Sequence, residues 1–359
     1  MRIAIVGATG NVGTSLLRVL ADESSVDSIL GIARRIPRLE AAKTEWRAAD
    51  IARDDLVPLF RGADAVVHLA WLIQPSRDLD QLWRTNVFGS DRVFRAVAEA
   101  GVGAFIYASS VGTYSRGAKD RRVDESWPTD GISTSFYARH KADVERRLDR
   151  FEHEYREVRV VRLRPGLIFK GEAATGIRRL FAGPLLPASL VRPGRLPFVP
   201  DIPGLRFQAV HSLDVADAYR RALVQDVRGA FNIAADPVLD PPTLARILGA
   251  RLVSIGPRVA RSLTSLTWRL HLQPTPASWL DLALGVPLMD TSKANRELGW
   301  EPTVGADDAL RELLDGMSRG AGVETPPLSP KTSGPLRVRE FVTGVGRSSG
   351  VYRDHVPDR

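Results

Sequence analysis

The sequence predicts an α/β fold, a doubly wound parallel sheet with a smaller C-terminal α/β substrate lobe. Three observations predict it. Short apolar runs alternate with amphipathic stretches through the first 165 residues, and strands that alternate with helices build a parallel sheet covered on both faces. A glycine turn, Gly7 to Gly13, separates the first apolar run from the first amphipathic stretch. After Pro165 the texture shifts to proline-rich chain and shorter periodic segments.

The elements follow in order. Ile3-Ala4-Ile5-Val6 reads as a buried strand, and Thr14 to Leu20 as a helix with Leu16, Leu17 and Leu20 on one face. Ser28 to Ala33 is a second strand, Trp46 to Ala49 a weak third, and Ala65 to Leu69 a fourth. Leu79 to Ala100 is a long helix with Leu82, Trp83, Val87, Phe94 and Val97 apolar. Ala104 to Ala108 is a fifth strand, Ser135 to Phe151 a helix, and Val158 to Leu163 a sixth strand. Residues 183–206 carry six prolines and three glycines, the texture of a loop layer over a site. Leu213 to Val224, Thr243 to Leu248, Pro257 to Leu270 and Ala306 to Met317 read as helices, and Ala230 to Ile233 as a strand. The expected division is a nucleotide-binding unit over 1–165 that also receives 205–228, a lobe over 166–317, and a disordered tail over 318–359 with eleven Gly or Pro.

Composition removes several classes. The chain of 359 residues is long enough for a full core. It has no cysteine, which excludes a disulfide framework, a thiolate metal site, an iron–sulfur cluster and a cysteine nucleophile. The six histidines show no metal-ligand spacing, so no metal is expected. The net charge of +8 is spread along the chain and suits anionic ligands such as phosphates; no nucleic-acid partner is expected. The N-terminus lacks a signal-peptide pattern and no apolar run is long enough to cross a bilayer, so the expected location is cytoplasmic without stable membrane insertion. Pro257 to Leu270 is amphipathic, with Val259, Leu263, Leu266 and Leu270 on one face and Arg258, Arg261 and Arg269 nearby. A cap over the substrate cleft is the expected role, and an anionic membrane surface the alternative.

The chemistry sits in few residues. In Gly7-Ala8-Thr9-Gly10-Asn11-Val12-Gly13 the glycines allow a tight turn, close approach to phosphate and close helix–strand packing. The following helix offers N–H groups and its positive dipole end to a pyrophosphate. The second strand ends at Arg34-Arg35, where an NAD-selective site would carry an acid for the ribose 2′-OH. Guanidinium groups pair with a 2′-phosphate, so NADP is favoured over NAD. Tyr137 and Lys141 stand four apart on a helix face, and an ammonium with a cationic nicotinamide would lower the phenol's pKa toward use as a base. Ser110 lies past the fifth strand, at the carboxyl edge where such sheets place their sites. His68 and His211 are read as satisfied core histidines.

These residues bring a family into view. From Met1 to about Met317 the chain resembles the extended short-chain dehydrogenase/reductases, the NAD-dependent epimerase/dehydratase group with a Rossmann-type sheet. Gly7, Gly10 and Gly13 match the family's glycine motif, and Asp50-Ile51 its adenine-contacting acid. His68-Leu69-Ala70 matches the segment after the fourth strand, Asn86 and Gly89 the Asn-x-x-Gly, and Tyr107-Ala108-Ser109-Ser110 with Thr113-Tyr114 the catalytic serine segment. Arg164-Pro165-Gly166 matches the Arg-Pro beside the nicotinamide. Val210-His211, Asp214-Val215-Ala216, Asp290 to Ala294 and Glu297 to Trp300 match C-terminal motifs. The resemblance implies cofactor contacts from Leu69, Ala70, Asn86 and Pro165. It assigns Ser110, Tyr137 and Lys141 to catalysis, with Lys141 on the ribose.

Four departures bear on the substrate. Leu167 stands where sugar-nucleotide members carry Asn, Phe207 where several carry Arg, Trp71 where a small residue is usual, and Ser115 where Gly follows the tyrosine. The implied function is NAD(P)-dependent hydride transfer at a secondary alcohol or ketone of a small molecule, a nucleotide sugar among the candidates. The alternative is a non-catalytic dinucleotide-binding regulator or redox sensor. Leu82, Val93, Phe94 and Val97 with Val144, Leu148 and Phe151 exceed one buried stripe, which predicts a homodimer through the Asn86 and Tyr137 helices.

Overall fold

Seven of the apolar runs pair into one parallel sheet: β1 (Arg2–Val6), β2 (Ser28–Ala33), β3 (Thr44–Ala48), β4 (Ala65–His68), β5 (Ala104–Ala108), β6 (Arg159–Pro165) and β7 (Gly229–Ile233). Their spatial order is β7-β6-β5-β4-β1-β2-β3. The order reverses between β1 and β4, which opens a crevice at their carboxyl ends. The computed structural model describes residues 1–73, 78–181, 194–273 and 275–329.

The two-residue period of the strands divides the core. Ile3 and Ile5 of β1 join one apolar cluster with the helices α1 (Asn11–Ala21) and α4 (Ser212–Val224). Ala4 and Val6 join the other, beneath α2 (Gly89–Glu99) and α3 (Phe136–Glu154). The expected helix from Leu79 to Ala100 is interrupted. Leu79–Trp83 is α-helical, Arg84–Phe88 is a π turn, and α2 follows. At the junction a Cβ on Gly89 would stand 2.9 Å from the Ile51 side chain, so glycine lets α2 lie tight on the chain after β3.

The apolar surplus expected to pair these helices with a second copy is used up inside the chain. Leu82, Val93, Phe94, Val97, Val144, Leu148 and Phe151 are all buried within one chain. Three aromatic rings, Phe94, Phe105 and Phe151, pack mutually between helices and sheet. The stripe is wide because the helices sink between neighbours.

The smaller lobe holds a sheet of Leu167–Phe169, Phe207–His211 and Ala235–Leu239. It also holds the strand pair Phe198–Asp201 with Arg251–Ser254, and the helices α5 (Pro257–Arg269), α6 (Ala277–Gly285) and α7 (Ala306–Arg319). Two expected boundaries shift. The strand at 229–233 completes the large sheet beside β6 and does not belong to the lobe. The tail expected from Ser318 is ordered at its start: Thr325 and Leu328 are buried, and Pro326, Pro327 and Leu328 line a cavity together with Leu310 and Leu314 of α7. Their apolar surface offsets the glycine and proline content that suggested disorder. The rest of that tail, residues 330–359, and positions 183–193 of the expected loop layer lie outside the described residues. Among the described residues no helix is long and apolar enough to cross a membrane.

Candidate active site

One cavity of about 1190 Å³ runs from the glycine turn, past Arg34 and Arg35, to Ser110, Tyr137 and Lys141, and into the lobe. Thr9, Asn11, Val12, Leu69 and Pro165 line it as well.

The three glycines at its end are not equivalent. Gly7 has φ +88°, and a Cβ there would stand 2.6 Å from the Ala70 nitrogen. A Cβ on Gly13 would stand 2.6 Å from the Ala8 backbone. The fold itself requires both. Gly10 has φ −81°, and its nearest neighbour would be the Gly7 oxygen at 3.4 Å, an ordinary contact. Nothing in the protein demands glycine there, which leaves the approach of a ligand as the reason. Gly10 is also the N-cap of α1, with no side-chain cap and no acid in the first turn, so the first N–H groups stay available to an anion. Lys170 adds positive charge below this turn, its Nζ donating to Asn11 O at 3.0 Å and Thr14 Oγ1 at 2.7 Å. This cradle fits a dinucleotide pyrophosphate.

Arg34 and Arg35 are exposed past β2 and line the cavity. Four further expected cofactor residues make contacts within the protein. Asp50 accepts from Ala52 N at 3.0 Å, and Ile51 is packed in the core. Ala70 supports the Gly7 turn from behind. Asn86 is buried, and its amide clamps both backbone groups of Leu72, at 2.7 Å and 3.0 Å. It positions the cleft-lining Trp71-Leu72 segment.

The catalytic candidates do meet. Ser135 caps α3 by accepting from Ala138 N at 3.3 Å, so Tyr137 stands in the first turn, at the cleft. Ser110 Oγ accepts from Gly112 N at 3.0 Å and lies on the Tyr137 side of the cavity. Gly112 lacks a side chain where a Cβ would stand 2.8 Å from the Tyr137 ring. Burial pushes Tyr137 up to about 12, opposed by the Ser110 side chain. The expected lowering by Lys141 is therefore not found in the protein alone. Burial also lowers Lys141 to about 7, so near neutrality its charge is only partly present. Its Nζ donates to Ala108 O at 2.6 Å and lies 3.6 Å from the centre of the Trp71 ring.

Sequence reasoning missed the group that anchors this corner. Glu145, one turn beyond Lys141, is buried and accepts from Ser109 Oγ at 2.5 Å, Arg162 at 2.8 Å, and Arg164 at 3.0 Å through two nitrogens. The spacing Tyr137, Lys141, Glu145 on one helix face was a readable signal. The histidines are structural. His68 is buried, 2.9 Å from Ser90 Oγ, with burial lowering it to about 3. His211 accepts from Leu213 N at 3.3 Å and faces Glu312 at 3.1 Å. Among the described residues no group of acids and histidines is placed to hold a metal ion.

Beyond Ser110, Tyr137 and Lys141 the wall is largely apolar, with Trp71, Val111, Phe207, Trp279, Val286 and Met289. Arg178, buried, is the charged side chain of this wall among the described residues. Arg206, one residue from the expected diphosphate position, donates instead to Lys119 O at 2.5 Å.

Comparison with known proteins agrees with the fold. The model of the NAD dependent epimerase/dehydratase family matches residues 3–234. An uncharacterized protein of Mycobacterium tuberculosis is 29% identical over 316 residues, 87% of this chain, and the chain spans only 30% of that relative's length. A 3 beta-hydroxysteroid dehydrogenase/Delta 5-->4-isomerase of Mycobacterium tuberculosis is 26% identical over 343 residues, 87% of this chain and 89% of that protein. Among solved structures, UDP-glucose 4-epimerase of Thermus thermophilus in complex with NAD is 19% identical. Its TM-score is 0.65, over 89% of this chain and 100% of its own.

Two expectations test this geometry. Gly7→Ala and Gly13→Ala should each destabilise the fold by about 2 kcal/mol or more. Gly10→Ala should change stability by no more than about 0.5 kcal/mol while weakening dinucleotide binding. Chemical denaturation with a dinucleotide titration separates them, and a Gly10 variant that binds normally contradicts the cradle. The second concerns Lys141. Its value is 10.5 unfolded and about 7 folded, so between these the unfolded chain binds the extra proton and stability rises with pH. Lys141→Met should be more stable than the native chain at pH 7, with the margin shrinking toward pH 10.5. A pH-independent margin in denaturant melts would show that Lys141 is not buried as described.

Proposed function

Because the chain belongs to the NAD dependent epimerase/dehydratase family, we propose that it performs NAD(P)-dependent hydride transfer at a secondary alcohol or ketone carbon, with Ser110, Tyr137 and Lys141 as catalytic residues. The observation that carries this reading is the meeting of those three residues in one cavity with the glycine cradle. The family's known acid–base set is therefore complete here, which favours an enzyme over a silent dinucleotide-binding regulator.

Gly10 and the first turn of α1 would hold the pyrophosphate, and Lys141 the ribose nearest the reacting carbon. The nicotinamide, when bound, supplies or accepts the hydride. Ser110 orients the substrate oxygen by hydrogen bonding. With its pKa pushed up to about 12, Tyr137 is a protonated phenol at neutral pH. That state suits reduction: the phenol proton passes to the carbonyl oxygen as the carbon gains its hydride. In the oxidative direction the alcohol proton passes to the phenolate, and positive charge near Tyr137 favours that form. The apolar wall favours a substrate with a bulky apolar body around the reacting carbon. A nucleotide sugar is the second reading, supported by Arg178 in the wall and by the likeness to a UDP-glucose epimerase.

Tyr137→Phe keeps the ring between Trp71 and Trp279 and removes only the hydroxyl. Turnover should fall about 10²–10⁴-fold, the scale of one acid–base group, with cofactor affinity nearly unchanged. Near-normal turnover on the true substrate removes Tyr137 from the mechanism. For cofactor choice, the exposed pair Arg34 and Arg35 favours NADP. Changing both to Ala should weaken NADP much more than NAD in a titration, and equal weakening defeats the preference.

A further inference from the structure

Helix α5 is unlike the other helices in what it turns outward. Val259, Leu263, Leu266 and Leu270 are 57%, 51%, 54% and 59% exposed, and Leu272 beyond its end is 47% exposed. Their spacing of four, three and four residues aligns the helical four in one stripe. Ala260 is the buried residue of the helix, so its packed face is small and its apolar face looks out. Soluble helices arrange these faces the other way round.

The charges around the stripe have one sign. Residues 251–275 contain Arg251, Arg258, Arg261, Arg269 and His271, and no Asp or Glu. Arg261 is engaged inward, its guanidinium bound to Asp281 of α6 at 2.8 Å and 3.1 Å, which fixes α5 against the lobe. Arg258 and Arg269 are exposed and lie about a quarter-turn from the stripe on the same flank, by the 3.6-residue repeat. Leucines facing out with arginines at their margin form the pattern of a helix lying in a lipid headgroup layer. At 13 residues the helix is too short to span a bilayer.

The helix is also part of the cleft. Leu263, Thr264 and Thr267 line the cavity that holds Tyr137, and Trp279 of α6 joins them. The outward stripe therefore borders a cavity with an apolar wall. A second copy of the chain would answer the apolar stripe but not the charge. An antiparallel two-fold pairing of α5 brings the basic flanks together, and in either orientation the segment offers no acid to neutralise them.

We propose that α5 docks this protein on an anionic lipid surface, with its leucine stripe in the headgroup layer, Arg258 and Arg269 on lipid phosphates, and the apolar cleft opening beside the bilayer. This surface does not depend on the reaction performed, and its test does not use turnover.

The test is sedimentation of the full chain with vesicles of phosphatidylcholine alone and of phosphatidylcholine mixed with phosphatidylglycerol. Light scattering without vesicles accompanies it. The native chain should pellet with the mixed vesicles, bind neutral ones weakly, and be partly released by salt. Val259→Ser with Leu266→Ser and Leu270→Ser should lower binding about tenfold or more, since each removes exposed apolar contact. Arg258→Glu with Arg269→Glu should abolish the preference for the anionic lipid. All five positions are exposed, so melting curves should match the native chain. A native chain that stays in the supernatant, or variants that bind as well as it does, would overturn the proposal. It is equally overturned if the serine variant halves the mass seen in light scattering, since the stripe is then an interface between copies.

Discussion

The corner that holds Ser110, Tyr137 and Lys141 hangs on one buried carboxylate. Glu145 has no solvent exposure, and burial alone would raise its pKa. Arg164 and Arg162, with the Ser109 hydroxyl, hold it instead at about 2. A buried charge left without its partners costs about 3–5 kcal/mol, so the two arginines and the helix that carries Glu145 are bound to one arrangement. Arg164 continues the network to Tyr114 Oη at 3.1 Å, and Tyr114 to Asn232 on β7 at 2.6 Å. Arg162 reaches outward to Asp149 and Glu152 on the same helix. Strands β5, β6 and β7 and helix α3 are thereby fastened at the carboxyl edge of the sheet. Tyr137 and Lys141, two turns and one turn before Glu145, inherit their positions from it.

This anchoring explains why the lysine can be buried so deeply. Lys141 is one turn from Glu145, whose negative charge partly offsets the desolvation of the ammonium. The sheet edge supplies the Ala108 carbonyl and the Trp71 face for the rest. The site thus holds a strained titration that a purely structural core would replace with an aliphatic side chain, as expected where stability yields to function.

The large sheet was legible because its signals are local. Alternation of strand and helix, a glycine turn after the first strand, and a proline shift after Pro165 each reflect short-range physics. Ser110, Tyr137 and Lys141 were legible for a related reason, since a strand end and an i,i+4 pair fix their places. What was not legible depends on partners far away in the chain. Asn86 matched a motif, and the match does not show its clamp on Leu72 across a π turn. The apolar excess on two helices resembled an interface because a sequence does not show how deeply a helix sinks between its neighbours. Pro326 to Leu328 resembled a flexible tail because the surface that receives them lies on the lobe.

The indole over Lys141 has a consequence for observation. An aromatic face attracts an ammonium and has no such hold on a neutral amine, so the contact at 3.6 Å strengthens as the lysine gains its proton near pH 7. Of the seven tryptophans, Trp71 stands at the boundary between the glycine-cradle end of the cleft and its apolar end. A charge that appears beside an indole alters the energy of its excited state. Protonation of this buried amine should therefore shift the emission of Trp71, the indole where the two halves of the cleft join.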